Sequence, residues 1–307
     1  MNTENITIGR EYPLEGILTL PENTDVPVPA CVLVHGSGSS DKDEKIFELR
    51  PFADIANELA LHGIASLRYD KRSFVHGRQM VKSKTPITVY EETIEDAVFA
   101  ADLLRNNPRI DHDRIFIIGH SMGAMLSGRI DAEGGNFKGL IMMAGIPFSL
   151  DEVLMRQLQE LADTSNFIVR TIISKQKEKL AKQFAAMDSM SDEDAKKIRM
   201  GGGTTLYYFK DIKQHPVRDY LLANEKPLLI MQGEKDFQVR ADLDYAAFQE
   251  ILKDRKNVTW RLYPDLNHLF MKSVYGTIKD ANKEYKVKQH IPREVIADIA
   301  EWIHSVQ

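Results

Sequence analysis

Residues Ile115 to Gly123 constrain the fold more than any other stretch of this chain. Ile115, Phe116, Ile117 and Ile118 form an uninterrupted apolar run, and Gly119-His120-Ser121-Met122-Gly123 follows without a spacer. Such a run predicts a strand covered on both faces, and the Gly-x-Ser-x-Gly after it predicts a sharp strand-to-helix turn. Gly119 and Gly123 remove the Cβ atoms that would clash as the chain reverses, so Ser121 is expected to stand exposed above the sheet edge. Ala124, Ser127 and Gly128 then suit a helix packed closely on that strand.

The flanking sequence supplies more strands of the same kind. Ile6 to Leu20 reads as two strands joined near Pro13, an antiparallel opening hairpin that ends at Pro21 and a polar turn. Ala30 to Val34 is a continuous, β-branched run ending in His35-Gly36-Ser37-Gly38. A helix with Leu49, Phe52, Ile55, Ala56 and Leu59 on one face stops at Gly63, and Ile64 to Tyr69 gives a further strand. Asp70-Lys71-Arg72 closes it, and a polar loop through Pro86 leads to a helix carrying Ile94, Ala97, Val98, Ala101 and Leu104. Asp111-His112-Asp113 reads as the polar turn before the central strand, and Leu140 to Ala144 as the strand after the serine turn. Sustained alternation of strand and helix implies parallel strands with right-handed crossovers and helices on both faces.

Between Pro147 and Pro216 the alternation breaks into charged helical segments: Leu150 to Leu161, a Lys-rich stretch near Lys175 to Phe184, and Asp192 to Met200, the last terminated by Gly201-Gly202-Gly203. Residues 147–216 are therefore expected to be a helical cap inserted into a core of residues 1–146 and 217–307. The rhythm resumes with Leu228 to Met231, a helix from Ala241 to Leu252, a strand at Val258 to Tyr263 and a final helix from Pro292 to Val306. With 307 residues and 43% hydrophobic composition, the chain can bury a large core, as one elaborated α/β domain or two smaller ones.

A serine hydroxyl is a weak nucleophile near neutral pH and needs a histidine to take its proton and an acid to orient that histidine. Both must stand at the carboxyl ends of later strands. The loop after Met231 reads Gln232-Gly233-Glu234-Lys235-Asp236, and the loop after Tyr263 reads Pro264-Asp265-Leu266-Asn267-His268. Ser121, Asp236 and His268 thus follow one another in the order nucleophile, acid, base, with Glu234 the nearest rival acid. The backbone N–H groups of Met122 and Ser37 are the candidate donors to an oxyanion. A dinucleotide loop at Gly36 is disfavoured, because the third glycine of that pattern would fall on Asp41, a carboxylate that repels pyrophosphate.

No His-Glu-x-x-His or comparable spacing occurs, so no metal or other cofactor is expected. A formal net charge of −5 gives no basic footprint for nucleic acid, and no apolar run reaches the length of a membrane span. The single cysteine, Cys31, lies in an apolar strand and reads as a buried thiol; together with a start lacking a secretory pattern it points to the cytoplasm.

Taken together, these segments resemble the α/β-hydrolase superfamily, and within it the bacterial serine esterase and dienelactone-hydrolase-like group related to the prolyl-oligopeptidase catalytic domain. The resemblance covers nearly the whole chain. It is carried by Tyr12-Pro13-Leu14-Glu15-Gly16 with Leu18-Thr19-Leu20-Pro21, Val34-His35-Gly36-Ser37-Gly38, Arg68-Tyr69-Asp70-Lys71-Arg72, Gly119-His120-Ser121-Met122-Gly123, Gln232-Gly233-Glu234-Lys235-Asp236 and Tyr263-Pro264-Asp265-Leu266-Asn267-His268-Leu269-Phe270. It implies a mostly parallel, doubly wound sheet with an antiparallel N-terminal hairpin, and Ser121, Asp236 and His268 as nucleophile, acid and base. Met122 stands where leucine is common in the group, and Asp265 where glycine is common. A serine nucleophile implies acyl transfer on a small-molecule carboxylic ester; a serine peptidase is the second expectation, and a silent ligand receptor, which would lack a triad member, the third. Six methionines in or beside the insertion (Met142, Met143, Met155, Met187, Met190 and Met200) are expected to line a pocket for short or medium acyl groups.

Overall fold

The computed structural model describes residues 1–22, 26–82 and 87–307. The expected loop through Pro86 lies partly outside these. Among the described residues β1 (Asn2–Ile8), β2 (Leu14–Leu20), β3 (Val28–Val34), β4 (Ala65–Tyr69), β5 (Ile110–His120), β6 (Gly139–Met143), β7 (Leu228–Gly233) and β8 (Val258–Tyr263) form one sheet in the order β1-β2-β4-β3-β5-β6-β7-β8. The β1–β2 and β2–β4 pairs are antiparallel, and every other neighbouring pair is parallel. This is the α/β-hydrolase fold, with the opening hairpin where the sequence puts it.

The strands are apolar throughout because both sheet faces are covered, and the period of two sorts their residues between two layers. Ile115 and Ile117 of β5 point into one, with Val32, Val34, Leu140 and Ile230; Phe116 and Ile118 point into the other, with Leu33, Ile141 and Leu229. The second layer is closed by α1 (Pro51–Leu61), through Phe52, Ile55 and Leu59, and by the final helix. The first is closed by α3 (Glu95–Arg105) and α4 (Met122–Ile130).

Between α1 and α3 lies α2 (Arg72–Lys82), a helix where the sequence suggests a loop. Only Arg72 and Met80 of it are buried, so it carries no apolar stripe from which a helical period could be read. The Asp111-His112-Asp113 turn is likewise corrected: these residues belong to the open first half of β5, whose pairing with β3 shifts register between Val28 and Ala30.

From β6 to β7 the chain forms α5 (Leu150–Asp163), α6 (Phe167–Met187), the short α7 (Asp192–Ala195), α8 (Leu206–Gln214) and α9 (Val217–Ala223). The third expected helix stops at Ala195 instead of Met200, Gly201–Gly203 makes one tight 3-10 turn, and α8 is additional. Its Leu206, Tyr208, Phe209 and Ile212 are buried in the first core layer, together with Val153 of α5. The helices α10 (Ala246–Ile251) and α11 (Ala281–Glu284) flank β8, and α12 (Arg293–Ser305) closes the second layer through Val295, Ile299 and Ile303.

The strand order reverses at β3, which has β4 on one side and β5 on the other. Loops leaving the carboxyl ends of two strands at such a point diverge and open a crevice between them. The two loops here are the one beginning at His35 and the turn at Ser121.

Candidate active site

Ser121 has φ 53° and ψ −114°, in a region that L residues rarely occupy, and it sits between the last residue of β5 and the first of α4. It is buried rather than exposed as the turn alone suggests, because neighbouring loops close over the sheet edge. Crowding enforces this conformation. A Cβ on Gly119 would stand 2.4 Å from the Gly123 main chain, and one on Gly123 would stand 2.1 Å from the Val34 carbonyl oxygen. The turn is closed by the Ser121 N–H donating to Met143 O at 2.9 Å and the Met125 N–H donating to Ser121 O at 3.0 Å. Met122 is the first residue of α4, so its N–H has no intrahelical acceptor, and it adds to the positive end of the helix dipole.

Asp236 and His268 come together on the adjacent loops. His268 Nδ1 lies 2.7 Å from Asp236 Oδ2, and both side chains are buried. The carboxylate is fully engaged: Oδ1 accepts from the Gln238 and Val239 N–H groups at 2.8 and 2.9 Å, and Oδ2 also accepts from Gln232 Nε2 at 3.0 Å. That array holds the acid in one orientation and, through it, fixes which histidine nitrogen carries the proton. The rival Glu234 is exposed, its N–H tied to Tyr263 O, and Asp265 is exposed as well. The two loops touch closely enough that a Cβ on Gly233 would meet Leu266 O at 2.3 Å. Behind His268, Asn267 accepts from the Leu269 and Met271 N–H groups and donates to the buried Glu284 at 2.8 Å.

His120, which immediately precedes Ser121, links the turn to the histidine loop. Its ring lies 4.7 Å from that of His268, and its Nε2–H donates to His268 O at 2.9 Å. With Nε2 donating, a neutral His120 would turn the lone pair of Nδ1 toward Glu44 Oε2, only 2.9 Å away. Protonation removes that repulsion. The geometry is too bent for a linear hydrogen bond, leaving a buried ion pair. Burial opposes charge on His120, but Glu44 outweighs it and raises the imidazole above its ordinary range; burial likewise opposes charge on Glu44, and His120 holds the carboxyl low.

The loop after β3 begins with His35, whose ring is buried against Phe52 and Tyr69 and whose Nε2–H donates to Asp41 O at 2.9 Å. Burial pushes this imidazole down to about 4, so it is neutral. Asp41 forms a turn, its Oδ1 accepting from the Asp43 and Lys45 N–H groups. Ser37 is exposed and borders a cavity of about 560 Å³ whose other walls include Ser73, Met80, Glu92, Thr204 and Tyr208. Ser121, Asp236 and His268 lie outside those walls, so the cavity approaches the serine from the Ser37 side. Of the methionines, only Met80 of α2 lines it. Met142, Met143 and Met187 fill the core, and Met155, Met190 and Met200 pack against it, because long apolar side chains gain more from the two core layers than from an open wall.

The sequence gives no role to several residues of the site. Glu44 and Tyr208 occupy ordinary positions, and Gln232 and Lys71 stand in segments that carry the family resemblance, but only the folded chain shows what they touch. Cys31 is buried in β3, and burial pushes its thiol far up, so it stays protonated and unreactive. Among the described residues no group of His, Cys, Asp and Glu has a metal-binding arrangement.

Esterase EstD of Thermotoga maritima is 34% identical to this chain over 293 residues, 94% of the chain and 65% of EstD. The chain therefore spans just under two thirds of that relative's length. Among solved structures, Est1E from Butyrivibrio proteoclasticus superposes with a TM-score of 0.59 at 17% identity, covering 98% of this chain and 99% of Est1E. The Pyrococcus furiosus esterase PF2001 gives 0.61 at 16%, covering 99% and 91%. Likeness at these identities is likeness of fold, whereas residues 89–290 match a sequence family directly, and by that match the chain belongs to the prolyl oligopeptidase family.

Proposed function

We propose that this protein is a serine carboxylesterase. The observation that carries the reading is the forced conformation of Ser121, whose neighbour His120 lies 4.7 Å from the ring of His268, itself hydrogen-bonded to the buried Asp236. Ser121 Oγ attacks the ester carbonyl while His268 Nε2 takes its proton, and Asp236 steadies the imidazolium that forms. The oxygen of the tetrahedral intermediate takes hydrogen bonds from the Met122 and Ser37 N–H groups. Collapse expels the alcohol, which receives the proton from His268, and water then cleaves the acyl-enzyme by the same steps in reverse roles.

Residues 147–216 act as a cap over the carboxyl ends of the strands. Tyr208 of α8 and Thr204 before it, which wall the cavity beside Ser37, support this role. A pocket of that size suits small or medium carboxylic esters. EstD, an esterase by name and 34% identical, favours ester over peptide cleavage. A chain with one buried, unpaired thiol fits the cytoplasm, and no described helix is long and apolar enough to cross a membrane. Assays of p-nitrophenyl esters of graded length beside aminoacyl anilides test the reading: turnover is expected for short and medium esters, lost in Ser121→Ala. Faster cleavage of the anilides would make the protein a peptidase.

A further inference from the structure

The peptide units on either side of the Gly36 Cα are held by buried charged side chains. The Gly36 N–H donates to Glu44 Oε1 at 2.7 Å, and Gly36 O accepts from Lys71 Nζ at 2.8 Å. Glu44 is 4% exposed and Lys71 1%. Each clamp is anchored in turn beside the nucleophile. Glu44 pairs with His120, the residue before Ser121. Lys71 lies 3.5 Å from Glu92 Oε1, Glu92 Oε2 accepts from the Tyr208 hydroxyl at 2.7 Å, and that hydroxyl reaches the sulfur of Met122, the residue after Ser121, at 3.5 Å. Two polar arms therefore leave Gly36 and end on the two neighbours of the serine, and one of them passes through α8.

A lysine buried to this degree is expensive unless its position matters. The Gly36 carbonyl and the Ser37 N–H belong to one planar trans peptide, so they point in opposite directions. Whatever fixes the carbonyl fixes the N–H. Glycine has more backbone freedom than any other residue, and Gly36 has little room for a Cβ, which would lie 3.2 Å from Ser121 Cβ. Gly36 therefore cannot be exchanged for a stiffer residue without crowding the serine, and its rigidity has to come from outside.

We propose that Lys71 and Glu44 are positioning residues that lock the two peptides around Gly36 and so aim the Ser37 N–H at the developing oxyanion. A cationic donor on the carbonyl also polarises the peptide and strengthens the N–H as a donor. The inference rests on the oxyanion role assigned to Ser37 above.

Lys71→Met keeps the apolar stem and removes the donor. The test compares it with the wild type for kcat and KM on p-nitrophenyl acetate, for affinity toward phenylboronic acid, which forms a tetrahedral adduct with a reactive serine, and for melting temperature. If the clamp aims the N–H, kcat falls roughly 10- to 100-fold with KM within about threefold, and phenylboronic acid affinity falls with kcat/KM. Should the unpaired Glu92 prevent folding, Lys71→Met/Glu92→Gln removes both buried charges and is read the same way. A folded variant with wild-type kcat, or one whose kcat falls while phenylboronic acid affinity does not, overturns the proposal. The two readings fail separately: a wild-type protein whose ester turnover survives Ser121→Ala refutes the esterase assignment, whereas Ser121-dependent turnover that is indifferent to Lys71 refutes only the clamp.

Discussion

The serine turn and the loop after β3 face each other across the same crevice, and their conformations are held by opposite means. At the turn the constraint is steric: no atom larger than hydrogen fits at Gly119 or Gly123, and the main chain has one path. At the loop it is electrostatic. Gly38, at φ 89°, has nothing within 4 Å of a would-be Cβ, while Glu44, Lys71 and Asp70 reach in to hold individual N–H and C=O groups. Sterically held backbone resists pH and salt, because repulsion between atoms depends on neither. A charge-held loop can respond to both, although buried pairs are screened far less than exposed ones. The proposed oxyanion hole, with one donor from each element, would thus combine a rigid half with a half whose geometry depends on protonation.

The sharpest test of the steric half removes the side chain and leaves the backbone. Ser121→Ala is expected to lower ester turnover by roughly 10⁴- to 10⁶-fold with an unchanged fold, read from kcat and circular dichroism. A turn maintained by the serine side chain itself would instead unravel. Gly123→Ala attacks the crowding directly. With Val34 O only 2.1 Å from the new Cβ, a loss of more than about 4 kcal/mol is expected in urea denaturation, or no soluble protein at all.

The loop is tested by pH. His35, with its imidazole pushed down to about 4 from an ordinary 6.5, binds its proton more readily in the unfolded chain. Its contribution is therefore complete above 6.5 and is lost as pH falls toward 4. Between pH 7 and pH 4 the wild type should lose about 3 kcal/mol that His35→Gln does not lose, so the stability gap between them narrows by that amount. A constant gap would mean that folding leaves the proton affinity of His35 unchanged. The smallest effect is expected at Gly38: Ala there meets no atom and suffers only from its positive φ, at about 1 kcal/mol in the same denaturation assay. A loss at Gly38 as large as that at Gly123 would erase the distinction between the two elements.

The difference also explains what could be read in advance. Ser121 was legible because sterics leave a local trace: glycines at fixed spacing after an apolar run announce the turn wherever it sits in a chain. Asp236 and His268 were legible through their order and their places after strands, and close contact between neighbouring strand ends brings them together. Electrostatic constraints leave no such trace. Glu44 and Lys71 are separated from each other and from His120 by dozens of residues, and although Lys71 stands in a segment that carries the resemblance, nothing local ties either residue to Gly36. The other misread segments have a different cause: α2 buries only Arg72 and Met80 and so shows no apolar period, and the six methionines expected in a pocket pack in or against the core.

By itself the sequence determined the alternating α/β architecture, the opening hairpin and the strand-to-helix turn at Ser121, because each depends on hydrophobic period or on backbone sterics within a few residues. The tertiary structure alone decided which walls border the cavity, that α8 enters the main core, and that two buried ions grip one glycine beside Ser121. Those features depend on which distant groups become neighbours once water is excluded, and a linear pattern of residues does not encode that exclusion.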